Sequence, residues 1–422
     1  MSPGARSAWT RAPTCVNNSE ANDRRNAPAP NMTLLLSELK EFPMDELSAF
    51  ATEVADWLLA NEDELAEFRQ PHPGAIEKTA EFERLLFRRL YDAGLTRRGW
   101  PVECGGLGGG LLLRAVFHEA FAAAGYPLIG KFEQLEVQGS TLLAFAPKLA
   151  AQHLPAALRG DEQWAVALSE PGSGSDLASL RTRAVDDGDC YRIDGQKIWT
   201  TGGHLSRWST LLARTGTAED RHRGLTMFWV DHESPGVELR PIACATGRNE
   251  LAEIFLDGVR VPKDRVIGEV NRGWKVTMHF MQFERGNFAW IRSAWLFGRL
   301  ASALARAGAP AASGTAAIVG EAFLALCAVR ERALGNVQRL AQGEFLGPEI
   351  SESKILLSRA EQLVFDAVRE LNPWTFELDD DLDSALNRQQ WWFSRIVTIY
   401  GGASEVQHDL VAEQLMGLPR SR

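Results

Sequence analysis

Trp164-Ala-Val-Ala-Leu-Ser169-Glu170-Pro171-Gly172-Ser173-Gly174-Ser175-Asp176 is the stretch on which the reading of this chain turns. A short apolar run that suits a strand empties into Pro, Gly and Ser, which cannot continue it. The same texture holds from Trp164 to about Val266. Tyr191-Arg192-Ile193, Thr226 to Val230 and Ile254-Phe255-Leu256 alternate with the turn formers Asp186-Asp187-Gly188-Asp189, Asp194-Gly195, Ser234-Pro235-Gly236 and Asp257-Gly258. Strands punctuated this often predict an antiparallel all-β domain, a small barrel or sandwich.

On both sides the period changes to that of helices. Phe50, Val54, Trp57 and Leu58, then Phe82, Leu85, Leu86 and Leu90, recur at helical spacing, broken by Gly99-Trp100-Pro101, Gly105 to Gly110 and a turn around Pro127. After Gly273 the helical period returns, with breaks at Gly308 to Gly314, Gly343 to Pro348 and Asn372-Pro373. Helices, then strands, then helices predict an α+β multi-domain chain: an N-terminal α-helical domain, a middle antiparallel β domain and a C-terminal helical bundle. No GxGxxG follows a predicted strand, so a Rossmann site is not expected.

The 422 residues, 45% of them hydrophobic, exceed what one compact core organises. The predicted boundaries are 1–31 (a disordered tail), 32–158, 159–270 and 271–422. The tail could also be a transit segment, or an over-long start before Met32 or Met44. A net charge of −10 with scattered basic residues argues against a nucleic-acid partner. No apolar run approaches the roughly 20 residues of a membrane span. Five cysteines without metal-ligand spacing suggest free thiols, a reducing compartment and cytoplasmic location. The eight histidines do not cluster, so no metal is expected.

The opening stretch is followed by Asp194-Gly195-Gln196-Lys197-Ile198-Trp199-Thr200-Thr201-Gly202-Gly203, and both resemble the flavin-binding signatures of acyl-CoA dehydrogenases. The resemblance extends through Trp100-Pro101 with Gly105-Gly106, through Gly258 to Pro262, and to Ile399-Tyr400-Gly401-Gly402-Ala403-Ser404-Glu405-Val406-Gln407. It implies a flavoprotein that binds FAD, takes an acyl-CoA substrate and passes electrons to an electron-transfer flavoprotein, as a homo- or hetero-tetramer. It further implies that Leu168, Ser169, Trp199, Thr200, Thr201, Gly402, Ala403 and Glu405 contact the cofactor, and that Ser175 and Arg285 contact the acyl-CoA. An isoalloxazine needs a flat apolar wall and donors at its polar edge, and Trp199 with Ser169 and Thr201 suits that need. The plainer alternative is an ordinary turn beside a core aromatic.

Dehydrogenating a saturated thioester requires a base for a weakly acidic α-proton. The family places that Glu at one of two positions, which here are Gly401 and Glu284, so the resemblance implies Glu284. Trp274, Met278, Met281, Phe288, Ile291 and Trp295 share one face of the predicted helix, and Glu284 and Arg285 fall on that stripe. A carboxylate there is desolvated unless paired, which favours the proton-accepting role. A buried ion pair that only joins helices is the alternative.

Two family features are missing. Where an Arg-x-x-Phe segment reaches a neighbouring subunit's flavin diphosphate, this chain reads Arg306-Ala-Gly-Ala-Pro-Ala-Ala-Ser. Where a Gln-x-x-Gly-Gly stretch is usual, it reads Glu370-Leu-Asn-Pro-Trp-Thr-Phe-Glu-Leu, then Asp379 to Asp381, a charge that would repel a diphosphate. In this the chain resembles actinobacterial members that work as two-plus-two heterotetramers on bulky or steroid-side-chain thioesters. Three readings follow: a dehydrogenase with Glu284 as base, a non-catalytic subunit that completes a partner's flavin site, and a related flavin enzyme such as an acyl-CoA oxidase.

Overall fold

A computed structural model describes residues 44–69, 75–307, 313–378 and 381–420. The tail 1–31, Asp379, Asp380 and most of the Gly308–Gly314 break lie outside the described residues. Helices come first: α1 (Met44–Ala60), α2 (Ile76–Asp92), α3 (Leu111–Ala123), α4 (Gly130–Gln134), α5 (Ser140–Phe145) and α6 (Pro147–Leu158). In α1 the predicted stripe is the buried one, with Phe50, Val54 and Leu58 sealed from solvent. In α2 the stripe is rotated. Leu85 is exposed and Phe87 takes its place in the core beside Leu86 and Leu90.

Eight strands follow: β1 (Trp164–Ala167), β2 (Arg183–Asp187), β3 (Cys190–Thr201), β4 (Trp208–Arg214), β5 (Leu225–Asp231), β6 (Val237–Ile242), β7 (Leu251–Pro262) and β8 (Val266–Ile267). Their order is β6-β7-β3-β2-β4-β5-β8, with β1 alongside β4. The predicted hairpin between β2 and β3 turns tightly at Gly188-Asp189, with Asp187 opposite Cys190 and Gly188 at φ +80°. One expectation needs correcting, because the sheet is mixed. β1 runs parallel to β4, Trp164 opposite Trp208, and β2 meets β4 at the single pair Arg183 and Arg214. In hydrogen-bonded order that single pair links β6-β7-β3-β2 to β4-β5-β8. Ala167, Ile193, Leu211, Phe228, Ile254 and Val259 form one buried core cluster.

The chain returns to helix as α7 (Gly273–Gln282), α8 (Phe288–Ala307), α9 (Ser313–Ala341), α10 (Ile350–Leu371), α11 (Leu382–Ser394) and α12 (Ser404–Leu410). A Cβ on Gly273 would lie 2.7 Å from the Thr226 carbonyl carbon, so only glycine lets α7 start against β5. The single apolar stripe expected from Trp274 to Trp295 does not survive. A π-helical turn, Phe283–Asn287, adds a residue between α7 and α8 and resets the phase. From Gly286 to Leu296 every residue is buried.

Buried charges on these helices must pair inside. Arg292 on α8 meets Glu361 on α10 through two bonds of 3.0 and 2.5 Å, and Arg330 on α9 meets Glu119 on α3 at 2.8 Å. No described helix is long and apolar enough to cross a membrane.

Candidate active site

The two glycine-bearing signatures are neighbours in space because a buried charge pair joins them. The Glu170 carboxylate accepts from the backbone N–H of Arg181 and Thr182, at 2.6 and 2.8 Å, and from Lys197 Nζ at 2.9 Å. Lys197 also donates to the Leu168 carbonyl at 2.9 Å, and the Ile198 N–H to that of Ser169 at 3.0 Å. Burial pushes Lys197 down to about 8, against the pull of Glu170. Burial would raise Glu170, but Lys197 and the N–H donors hold it below the usual range.

With Lys197 anchored inside, the next residues break the register of β3 against β7 between Lys197 and Thr200. Trp199 is carried outward at φ +63°, a left-handed backbone rare for a bulky side chain. Its side chain is 57% exposed, so Trp199 is no core aromatic. Such a conformation costs on the order of 1–3 kcal/mol and persists only where its surroundings enforce it. Thr201 is also exposed, Leu168 and Ser169 are half-buried, and Ser175 is exposed beyond the turn. Thr200 turns inward instead, fully buried with its hydroxyl unpartnered.

The second cluster forms on the π turn. Glu284 is half-buried, and its Oε2 is buried without a hydrogen-bond partner. Gly401, at φ +63°, faces it: a Cβ there would stand 2.6 Å from Glu284 Oε1. The two positions at which the resemblance allows a base therefore converge on one volume, and the glycine leaves it to Glu284. Arg285 donates from Nε and Nη2 to the Gly401 carbonyl, at 3.2 and 3.0 Å. Burial lowers its proton affinity, and the Glu284 charge partly restores it. Gly402 and Ala403 are half-buried and Glu405 is exposed. Gln407, fully buried against Gly402, has neither amide atom bonded.

Residues 130–139 touch both clusters. Gln134 Nε2 is 3.9 Å from where a Cβ on Gly202 would stand, just after Thr201. A second π turn, Leu135–Gly139, then carries the buried Glu136, which accepts from Asn287 Nδ2 at 3.0 Å and Arg114 Nε at 2.9 Å. Burial would raise Glu136, yet Arg114 and His118 hold it below the usual range. One carboxylate thus fixes the end of the turn that carries Glu284. Glu133, one residue before Gln134, is pushed up to about 7 by burial, with the Glu284 charge among those adding to it.

Of the acidic segment expected to repel a diphosphate, Asp381 alone is among the described residues. Asp381 caps α11, accepting from the N–H of Asp383 and Ser384 at 3.0 and 3.1 Å. Asp383 pairs with Arg299 at 2.8 Å and with Arg306. Arg306 is therefore engaged within its own chain. Trp290 is core, its Nε1 donating to the Ala115 carbonyl at 3.2 Å. Trp391 donates to Asp366 at 2.8 Å.

Sequence reasoning missed Glu170 with Lys197, Glu136 and the buried Lys354. The available signal was a charged residue directly ahead of an apolar pair, as in Lys197-Ile198-Trp199 and Lys354-Ile355-Leu356.

Comparison with known proteins places the chain in a family. Residues 48–161 match the acyl-CoA dehydrogenase N-terminal domain and residues 165–259 the acyl-CoA dehydrogenase middle domain. The chain is 35% identical over 395 residues to the acyl-CoA dehydrogenase IpdE1 of Mycobacterium tuberculosis, covering 89% of this chain and 99% of that one. It is 32% identical over 361 residues to the acyl-CoA dehydrogenase FadE29 of the same organism, covering 80% and 89%. Among solved structures, the Tcur3481-Tcur3483 steroid ACAD superposes with a TM-score of 0.74 at 26% identity, covering 89% of this chain and 98% of that one.

Proposed function

Because the chain belongs to the acyl-CoA dehydrogenase family, a group of oxidoreductases acting on CH–CH bonds, we propose that it binds FAD and dehydrogenates an acyl-CoA between the α and β carbons with Glu284 as base. The observation that carries this reading is the volume beside Gly401, filled by a carboxylate whose Oε2 has no partner. The residues fit a flavin. Trp199 offers a flat exposed wall that its own backbone strain makes hard to explain otherwise, with Ser169 and Thr201 beside it and the orphaned Gln407 amide on the other cluster.

When bound, FAD supplies the acceptor for the β-hydrogen and its electron pair. Glu284 Oε2 takes the α-proton, so the substrate loses both hydrogens and gains a C=C bond. Arg285, tethered to the Gly401 carbonyl, keeps a cation beside the base for the thioester or the CoA. Electron-transfer flavoprotein as the final acceptor is part of the same proposal. The likeness to a protein named as a steroid ACAD supports a bulky, steroid-derived acyl group.

A hetero-oligomer completes the proposal. Arg306 is held by Asp383 and so is not free for a neighbour's diphosphate, which needs Arg or oriented N–H donors. Expressed alone, this chain is expected to hold little flavin. Co-expression with a related subunit that carries an intact Arg-x-x-Phe segment should give a yellow assembly that acyl-CoA bleaches. A homotetramer of this chain with one tight flavin per subunit would reject the half-site reading.

Trp199→Ala tests the cofactor wall. Flavin occupancy should fall or the visible spectrum shift in the assembled protein, with little loss of stability, because the indole is exposed and its removal opens no core cavity. Full occupancy with an unchanged spectrum would remove Trp199 from the site.

A further inference from the structure

We infer that Lys354 is the positioning residue for Glu284, seating the Tyr400-Gly401 loop and placing a cation behind the carboxylate. The inference rests on Glu284 being the base. Lys354 lies on α10 with only 6% of it exposed. Its Nζ donates to the Val397 carbonyl at 2.8 Å and sits 4.0 Å from the centre of the Tyr400 ring. Its Cε is 3.4 Å from the point where a Cβ on Gly401 would stand, the same point that lies 2.6 Å from Glu284 Oε1. The lysine stem and the carboxylate thus both border one glycine.

Capping the Val397 carbonyl does not explain a buried ammonium, because Ser358 Oγ donates to that oxygen too, at 2.8 Å. A neutral side chain of the same length would pack as well without the cost of burying charge. What a neutral residue lacks is the field. The charged groups around Lys354 are Glu284 and Arg285 from the π turn, Arg292 from α8, Glu361 from α10 itself, and the Tyr400 ring. Glu361 is bonded twice to Arg292, and Arg285 is turned onto the Gly401 carbonyl. Among these groups Glu284 is the carboxylate with an unbonded oxygen, Oε2, and Glu133, pushed up to about 7, is a further carboxyl that feels its charge. Burial pushes the ammonium down to about 8, with Glu284 the first of the charges holding it up, so the cation is present at neutral pH. A cation there attracts the negative charge of a neighbouring carboxylate.

The test is the pH profile of acyl-CoA-driven flavin reduction in the full FAD-loaded assembly, for the parent, Lys354→Met and Lys354→Arg. In K354M the acid limb should move to higher pH by about 1–2 units, since more alkaline solution is needed to ionise a base without its neighbouring cation. K354R should restore the limb. Ser358→Ala, which removes the other donor to Val397, should lower the thermal midpoint and leave the limb in place. An unshifted limb in K354M overturns the inference, even if the rate falls at every pH. Where K354M does not assemble, Lys354→Gln is read the same way. Failure of both neutral variants beside an assembled K354R assigns a structural role and also overturns it. E284Q separates the two ideas: retained flavin reduction there removes the base and this role with it, whereas an inactive E284Q beside an unshifted K354M overturns only the role of Lys354.

Discussion

Replacing Glu284 with Gln is expected to slow acyl-CoA-driven flavin bleaching by about 10²–10⁴, the contribution of a positioned base to proton abstraction. Gln keeps the volume that fills the space beside Gly401, so the π turn and the Arg285 tether to the Gly401 carbonyl should persist. Assembly and flavin content should match the parent. What is lost is one property: an amide cannot accept the α-proton, and Oε2, which has no other partner, is the atom that would. Single-turnover mixing reads the effect directly, and a loss of only a few-fold would reject Glu284 as the base.

The largest expected change in stability comes from Arg292→Met. Arg292 is 4% exposed and Glu361 is fully buried, and two short bonds join them, with a third from Arg292 to Gln390 Oε1 at 3.3 Å. The guanidinium also lies 4.5 Å from the Trp295 ring centre. Met fills the stem's volume and leaves Glu361 buried without its counter-charge, which costs about 3–5 kcal/mol. Denaturant unfolding of the assembly should show that loss. The double variant R292M/E361M should recover most of it, because no uncompensated charge remains. If the double variant is as unstable as the single one, packing and not charge is the source.

The succession of helix, strand and helix was legible because periodicity and turn chemistry are local. Phe50, Val54 and Leu58 lie inside as their spacing requires, and Gly188 turns the hairpin that its Asp-Gly context announces. The two glycine-bearing segments were legible as units because each is continuous in the chain. Other features were not local. The pairing of Trp164 with Trp208 is parallel because the chain returns past β2 and β3 first, which no short run of residues records. The π turn at Phe283–Asn287 is one extra residue in an otherwise regular helix, so a period fitted from Trp274 to Trp295 averages over it. Asp381 reads as loose negative charge, since the cap it forms on α11 does not show in a run of aspartates. Glu136 reaches its bond with Asn287 across 151 positions of sequence.

The shared volume between Glu284 and Gly401 also bears on the order in which substitutions can accumulate. A carboxylate added at Gly401 while Glu284 is present would bring a Cβ to 2.6 Å from Oε1 on a left-handed backbone, so the end of the Glu284 side chain must swing aside and the strain remains. Losing Glu284 first clears the space, after which the same change at Gly401 bears only the strain. The cost of one substitution thus depends on whether the other has already occurred, and a side chain at Gly401 is accommodated at least cost once Glu284 has gone.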